Sequence, residues 1–175
     1  YVAPLNFGPE DERMEPFLEN VGTPECRDRV FRFQKLVLEK FDALYPMFLE
    51  MAEKRDWTFT RVGGSEVAYE MTVLEYEFAF WQWGTIPCDS IPIEGSDEQV
   101  FRHFVGVGDP RYFADQGLAY FEPFFYQAMT EIGYYGYDFE KFDGLLRYAR
   151  NGEKPEFIFS APVGPDYTYD YEFGR

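Results

Sequence analysis

What this chain lacks narrows its chemistry before anything in it is read. One histidine, His103, stands in 175 residues, and without a second histidine or a Cys/His cluster a zinc site has no ligand set. The pattern G-x-S-x-G, which sets the nucleophile of sheet-type serine hydrolases on a strand-to-helix turn ahead of Asp and then His, does not occur. There is no glycine-rich phosphate loop, and nothing in the pattern asks for a cofactor. Basic residues are scarce: 16 Lys and Arg against 32 Asp and Glu give a formal net charge of -16. Nucleic acid and anionic membrane surfaces need a clustered basic face, so neither is an expected partner. No apolar run approaches the roughly 20 residues of a bilayer crossing, because Glu75, Glu77, Glu122 and Glu131 interrupt the aromatic stretches.

What is present argues for a folded, aromatic-rich domain. Hydrophobic residues make up 46% and aromatics 21% of the chain, a composition that excludes disorder and suits a single core. The acidity fits an extracytoplasmic protein, one that attracts cationic groups, or simply a solvated acidic surface. Cys26 and Cys88 read either as one disulfide or as two buried thiols. The chain opens on YVAP, an apolar, strand-like start without a cap, which reads as cut from something longer.

Periodicity predicts a mostly helical architecture of about five helices. The stretch from Phe7 to Gly22 is rich in Pro, Gly and acids and reads as loop. Thr23 followed by Pro24 is a helix start. Val30, Phe33, Val37, Phe41, Leu44, Phe48 and Met51 then draw one apolar stripe from Pro24 to about Arg55, with Pro46 expected to kink or split it. Gly63 and Gly64 lead into a second helix with Ser65 as its cap. Its stripe is Val67, Met71, Leu74, Phe78 and Trp81, and it stops before Gly84. The loop WGTIPCDSIPIEGS follows, and Ser96 with Gln99 forms a capping box for a third helix to about Val107. A fourth helical region is expected between Asp109 and Gly133, interrupted at Pro123. A fifth runs from Asp138 to Arg150, with Phe139, Phe142, Leu145, Leu146 and Ala149 inward. The tail holds a short strand at Phe157 to Phe159 and no dependable period. Irregular, aromatic ends on a helical domain want a partner surface.

Candidate chemistry is thin outside one segment. Ser65 and Ser160 lack the strand-to-helix setting of a nucleophile, and His103, on a helix, reads as a packing or surface residue. Glu75 with Glu77, and Asp138 with Glu140, resemble glycosidase pairs only as neighbours do in an acid-rich chain. The exception is EPFFYQAMTEIGYYGYD, Glu122 to Asp138, which gathers aromatics around Tyr126, Gln127 and Glu131. If helical, Gln127 and Glu131 share a face. A half-dry carboxylate there would bind an ammonium group, or be satisfied by a Tyr or Arg of the fold. Trp81, Trp83 and Tyr76 read as core or as walls for the flat ring of proline.

YQAMTEIGYY at 126–135 is similar to the YQxCTExGxF signature of secreted serine exopeptidases that cleave near proline: the lysosomal prolyl carboxypeptidase and dipeptidyl peptidase relatives and the bacterial tripeptidyl aminopeptidases. Met129 stands where the signature has Cys, which removes any disulfide at that position. YVAP resembles the strand after the nucleophile helix of these enzymes, and TPECRDRVFRFQ with WQWGTIPCDSIP resembles their helical insertion. The resemblance implies a helical cap at 23–151 inserted in an α/β-hydrolase fold. Residues 1–22 would be the lead-in from the hydrolase domain, 152–175 the irregular return to it, and the triad would lie outside this chain. It implies export, a peptide substrate with a free amino terminus anchored by Glu131, and a subsite built from Gln127, Tyr126 and Trp81. The competing expectation is an acidic helical module that binds a cationic peptide or protein without catalysis.

Overall fold

The computed structural model of the chain describes residues 12–127, 137 and 139–149. Among them the fold is all helix and turn, in six α-helices: α1 (Glu15–Asn20), α2 (Pro24–Glu39), α3 (Phe41–Lys54), α4 (Ser65–Trp83), α5 (Asp97–Gly108) and α6 (Asp115–Gln127). Short 3-10 turns stand at Glu12–Met14, Cys88–Ser90, Pro110–Phe113 and Glu140–Phe142. No described helix is long and apolar enough to cross a membrane.

The element α1 lies inside the stretch read as loop. Pro16 occupies its first turn, the Asn20 amide donates to the Pro16 carbonyl at 2.9 Å, and Phe17 is buried edge-on to Trp81. Gly22 then turns the chain at φ 64, with the Trp81 ring so close that a Cβ would sit 2.4 Å from it. Only glycine combines that dihedral with that contact. Helix α2 starts as its residues dictate, with the Thr23 hydroxyl accepting from the Cys26 amide at 3.2 Å and Pro24 next.

The expected long helix does break, but at Lys40 rather than at Pro46. Lys40 leaves helical geometry at φ -89 and ψ 17, and its ammonium is paired with Asp97 at the head of α5. The restart at Phe41 leaves Pro46 inside α3, where it forfeits a single backbone bond, to Asp42. Of the predicted stripe, Val30, Phe33, Val37, Phe41, Leu44 and Phe48 are all at or below 5% exposure, and Met51 at its end is half-buried.

Helix α4 is the axis of the molecule, packed against α2, α3, α5 and the Pro110–Phe113 turn. Its side chains from Ala68 to Glu77 are buried on every face, so the one-sided stripe expected for it is replaced by complete enclosure. Ser65 is not its cap. Gly64 holds that position, and the Ser65 hydroxyl is spent on the Tyr45 hydroxyl at 2.7 Å and on the Glu66 carboxylate at 3.3 Å. Gly84 ends the helix in the left-handed region. Helix α5 carries the expected capping box, in which Gln99 N donates to Ser96 Oγ and Ser96 N donates to Gln99 Oε1.

Helix α6 runs through Pro123 without the expected interruption. The proline would have bonded the carbonyl of Ala119, and both residues lie on the exposed side, where water can take the forfeited bond. Its first residue docks it onto the α3–α4 connection: the Asp115 carboxylate accepts from Thr58 Oγ1, Thr60 N and Arg61 N at 2.7, 3.0 and 2.8 Å.

The fifth helix expected from Asp138 to Arg150 does not form among residues 139–149, which fold as one 3-10 turn followed by bends. Phe142, Leu146 and Ala149 are buried, as the pattern predicts. The backbone has another partner: the amides of Arg147, Tyr148 and Ala149 all donate to the Glu70 carboxylate, at 2.6 to 2.9 Å. A helix would have spent those amides on its own carbonyls.

Candidate functional site

Three acids of α4 are buried: Glu70 at 1%, Glu75 at 7% and Glu77 at 8% exposure. All three receive a donor from the 137–149 segment. Glu70 takes the three amides above, Glu77 is salt-bridged to Lys141, and Glu75 accepts from the Tyr137 hydroxyl at 2.7 Å. Glu75 and Glu77, neighbours in sequence, are thus held apart by different partners. Burial pushes the Glu75 carboxyl up to about 7, against the downward pull of the Tyr137 bond.

Glu75 also lines the best-formed cavity among the described residues, of about 530 Å³, within the range of small-ligand sites. Helix α4 contributes Glu75, Ala79, Phe80 and Trp83; α5 contributes Gly106, Val107 and Gly108; the turn and α6 contribute Arg111, Tyr112, Tyr120 and Phe121. Tyr112 stacks on Phe121 at 4.7 Å between centroids, and Tyr120 stands edge-on to Phe121. Trp83 and Tyr120 are 61% and 79% exposed, large rings presented to solvent. The charged pair Arg111 and Asp109, 2.9 Å apart, neutralises itself at the rim. An aromatic enclosure around one buried acid is chemically suited to holding a cation with an apolar body.

The residues singled out in the sequence fall elsewhere or outside the described set. Trp81 does not line the cavity; its ring is packed between Phe17, Phe80 and Gly22. Tyr126 and Gln127 close α6, but their side chains, and Glu131 altogether, lie outside the described residues. His103 is half-buried, bonded to the Tyr76 hydroxyl at 2.8 Å and edge-on to Phe33, and burial lowers its pKa. It is a packing residue. Cys26 and Cys88 are joined, with Cα atoms 5.8 Å apart, and this pins the loop carrying Thr85 and Ile86, which also line the cavity, to the first turn of α2. The sequence reading had Glu75 only as the neighbour of Glu77, and within EYEFAFWQW, which also holds Glu77 and Gln82, no local signal sets it apart.

A family model described as PS-10 peptidase S37 matches residues 1–165. The chain is 31% identical, over 151 residues, to the prolyl tri/tetrapeptidyl aminopeptidase of Streptomyces mobaraensis. No solved structure matches. The helical chain with an acid-floored aromatic cavity therefore belongs to a peptidase family, and that family is peptidase S37. The match covers 85% of this chain but 32% of the Streptomyces protein, so the chain spans about a third of that relative's length.

Proposed function

We propose that this chain is the substrate-selecting helical cap of an exported serine exopeptidase of the tripeptidyl or prolyl aminopeptidase type, inserted in an α/β-hydrolase fold whose Ser, Asp and His lie outside it. The observation that carries this reading is the aromatic cavity over a buried carboxylate in a chain of the S37 family. The Streptomyces relative, a prolyl tri/tetrapeptidyl aminopeptidase, supports the aminopeptidase type. The absence of G-x-S-x-G from the sequence supports the division of labour. In this arrangement the hydrolase domain performs acyl transfer. The cap closes over the triad, excludes folded proteins and fixes the substrate's register. Glu131 takes the free amino terminus, so that the cut falls a set number of residues away.

The net charge of -16 favours a second reading, an acidic module that binds a cationic partner without catalysis. Chromogenic peptides ending in proline, amino-terminally free or blocked, separate the two when tested on the full-length protein and on this chain. The cap reading predicts that only the full-length protein cleaves, that it cleaves only the free peptides, and that Glu131→Gln lowers kcat/KM for them while sparing ester substrates. Cleavage by neither protein sinks it in favour of the binding module; equal losses on peptides and esters remove Glu131 as the anchor.

A further inference from the structure

Glycine in a helix costs stability, and the structure usually shows why it is there. Gly117 and Gly108 are such cases: a Cβ on Gly117 would lie 1.8 Å from the Arg111 carbonyl oxygen, and one on Gly108 would lie 2.9 Å from the Thr72 side chain. Gly106 is not. It is exposed, sits in α5, and a Cβ there would meet nothing within 4 Å. What Gly106 does border is the Glu75 cavity. Gly106 also borders a second groove, with Arg102 and His103, and with no side chain of its own it leaves the rim shared by the two open.

The acid is equally hard to explain by packing alone. Glu70 and Glu77, its neighbours on α4, receive three amides and an ammonium respectively. Glu75, as deeply placed, receives one phenol among the described residues. A buried carboxylate with one neutral donor is short of compensation, and the cavity in front of it is walled by Phe80, Tyr112 and Phe121 with Trp83 and Tyr120 at its mouth. Such rings attract an organic cation through their faces while burying its alkyl body.

We propose that the cavity between α4, α5 and α6 binds the alkylammonium group of a peptide, with Glu75 as counter-ion and Gly106 as the open side. The inference rests on the reading of this chain as a peptide-selecting unit, and it gives that unit a second carboxylate besides Glu131. The ammonium has two sources in a peptide, the amino terminus and a lysine side chain. Among the described residues, the charged and titratable groups facing Glu75 are Tyr137, Tyr112, whose hydroxyl burial pushes up, and the paired Asp109 and Arg111. Lys141 is engaged with Glu77. Affinity should therefore follow the ionisation of Glu75 and weaken as pH falls below about 7.

The test is calorimetric titration of the full-length protein at pH 8 with three probes: the tripeptide Ala-Ala-Pro, its amino-acetylated form, and Nα-acetyl-lysine amide. Glu75→Gln and Gly106→Leu should each weaken the amine-bearing probe tenfold or more, with melting temperatures showing that both variants fold. The acetylated tripeptide should bind weakly to all forms alike. Tyr137→Phe, which removes the phenol but keeps the charge, should stay within about threefold of wild type. Preference for the tripeptide assigns the amino terminus, and preference for the lysine amide assigns the side chain; either upholds the proposal. Unchanged affinity in Glu75→Gln and Gly106→Leu overturns it, as does a Tyr137→Phe loss equal to that of Glu75→Gln, which would make Glu75 a mere anchor for Tyr137. Peptide cleavage by a protein whose amine affinity ignores both variants defeats this inference and leaves the cap reading standing. Amine binding through Glu75 in a protein that cleaves nothing does the reverse.

Discussion

Glu75 is the side chain whose chemistry differs most from its surroundings, and the difference is measurable in the free protein. Its carboxyl is raised from 4.5 to about 7. The folded state therefore holds a proton that the unfolded state releases, between about pH 4.5 and 7. Stability should rise as pH falls through that window, and above it the buried charge should cost about 3 kcal/mol. His103 works in the opposite sense: burial lowers its pKa, so the unfolded chain takes the proton first and stability falls below about 6.5. Subtracting the urea-unfolding free energies of Glu75→Gln from those of wild type at pH 5 to 8 isolates the carboxyl. The difference should be small at pH 5 and favour the glutamine variant by about 3 kcal/mol at pH 8. A difference independent of pH would mean that Glu75 is as wet as any surface acid. Local pattern could not single it out, because every acid of an acid-rich chain looks alike until its helix is known to be enclosed. Ser65 misled for a related reason: Gly-Gly-Ser before a helix reads as a serine cap, but Gly64 takes the cap and the hydroxyl finds Tyr45 across the fold.

At the level of elements, legibility tracked how locally each helix is determined. The starts of α2 and α5 are fixed by residues within four positions, Thr23 with Pro24 and Ser96 with Gln99, and the structure has both caps. The end of α4 is likewise written in Gly84. The break at Lys40 and the fate of 139–149 depend on partners distant in sequence, Asp97 and Glu70, and no local period carries them. The same contrast separates two glycines of neighbouring helices. Gly106→Ala should raise the unfolding free energy by about 0.5 kcal/mol, since alanine is the better helix former and its methyl has room. Gly117→Ala should lower it by about 3 kcal/mol or more, because its methyl would drive α6 off the Arg111 carbonyl. Thermal melts of the two variants side by side give the answer, and equal shifts would show that α6 slides freely over the Pro110–Phe113 turn.

On the scale of the whole molecule, the helices are tied at one end by covalent chemistry. The Cys26–Cys88 bond spans a sequence separation of 62, from the first turn of α2 across α3 and α4 to the 3-10 turn beyond them. The sequence left two cysteines with two readings, because a link of that span has no local signature. Beside it, Arg29 on α2 donates to the Ile91 carbonyl at 2.7 Å and to the Asp89 carbonyl at 3.5 Å, so the loop wall of the cavity at Thr85 and Ile86 is held to α2 by the disulfide and by the Arg29 guanidinium. Closing a loop of that size restricts the unfolded chain by about 4 kcal/mol in the chain-entropy account, a large share of what keeps a domain folded. Reduction with dithiothreitol, or the paired change Cys26→Ser with Cys88→Ser, should therefore lower the unfolding free energy by up to about 4 kcal/mol. The same treatment should speed proteolysis in the 84–96 loop before the α2–α5 core opens, because the tie to α2 is lost there first. Cleavage that begins in α4, or a stability that ignores reduction, would show that the bond contributes nothing to the helical fold. An intact tie would matter most in an oxidising compartment, where it persists, and that is the compartment the proposed exported peptidase would occupy.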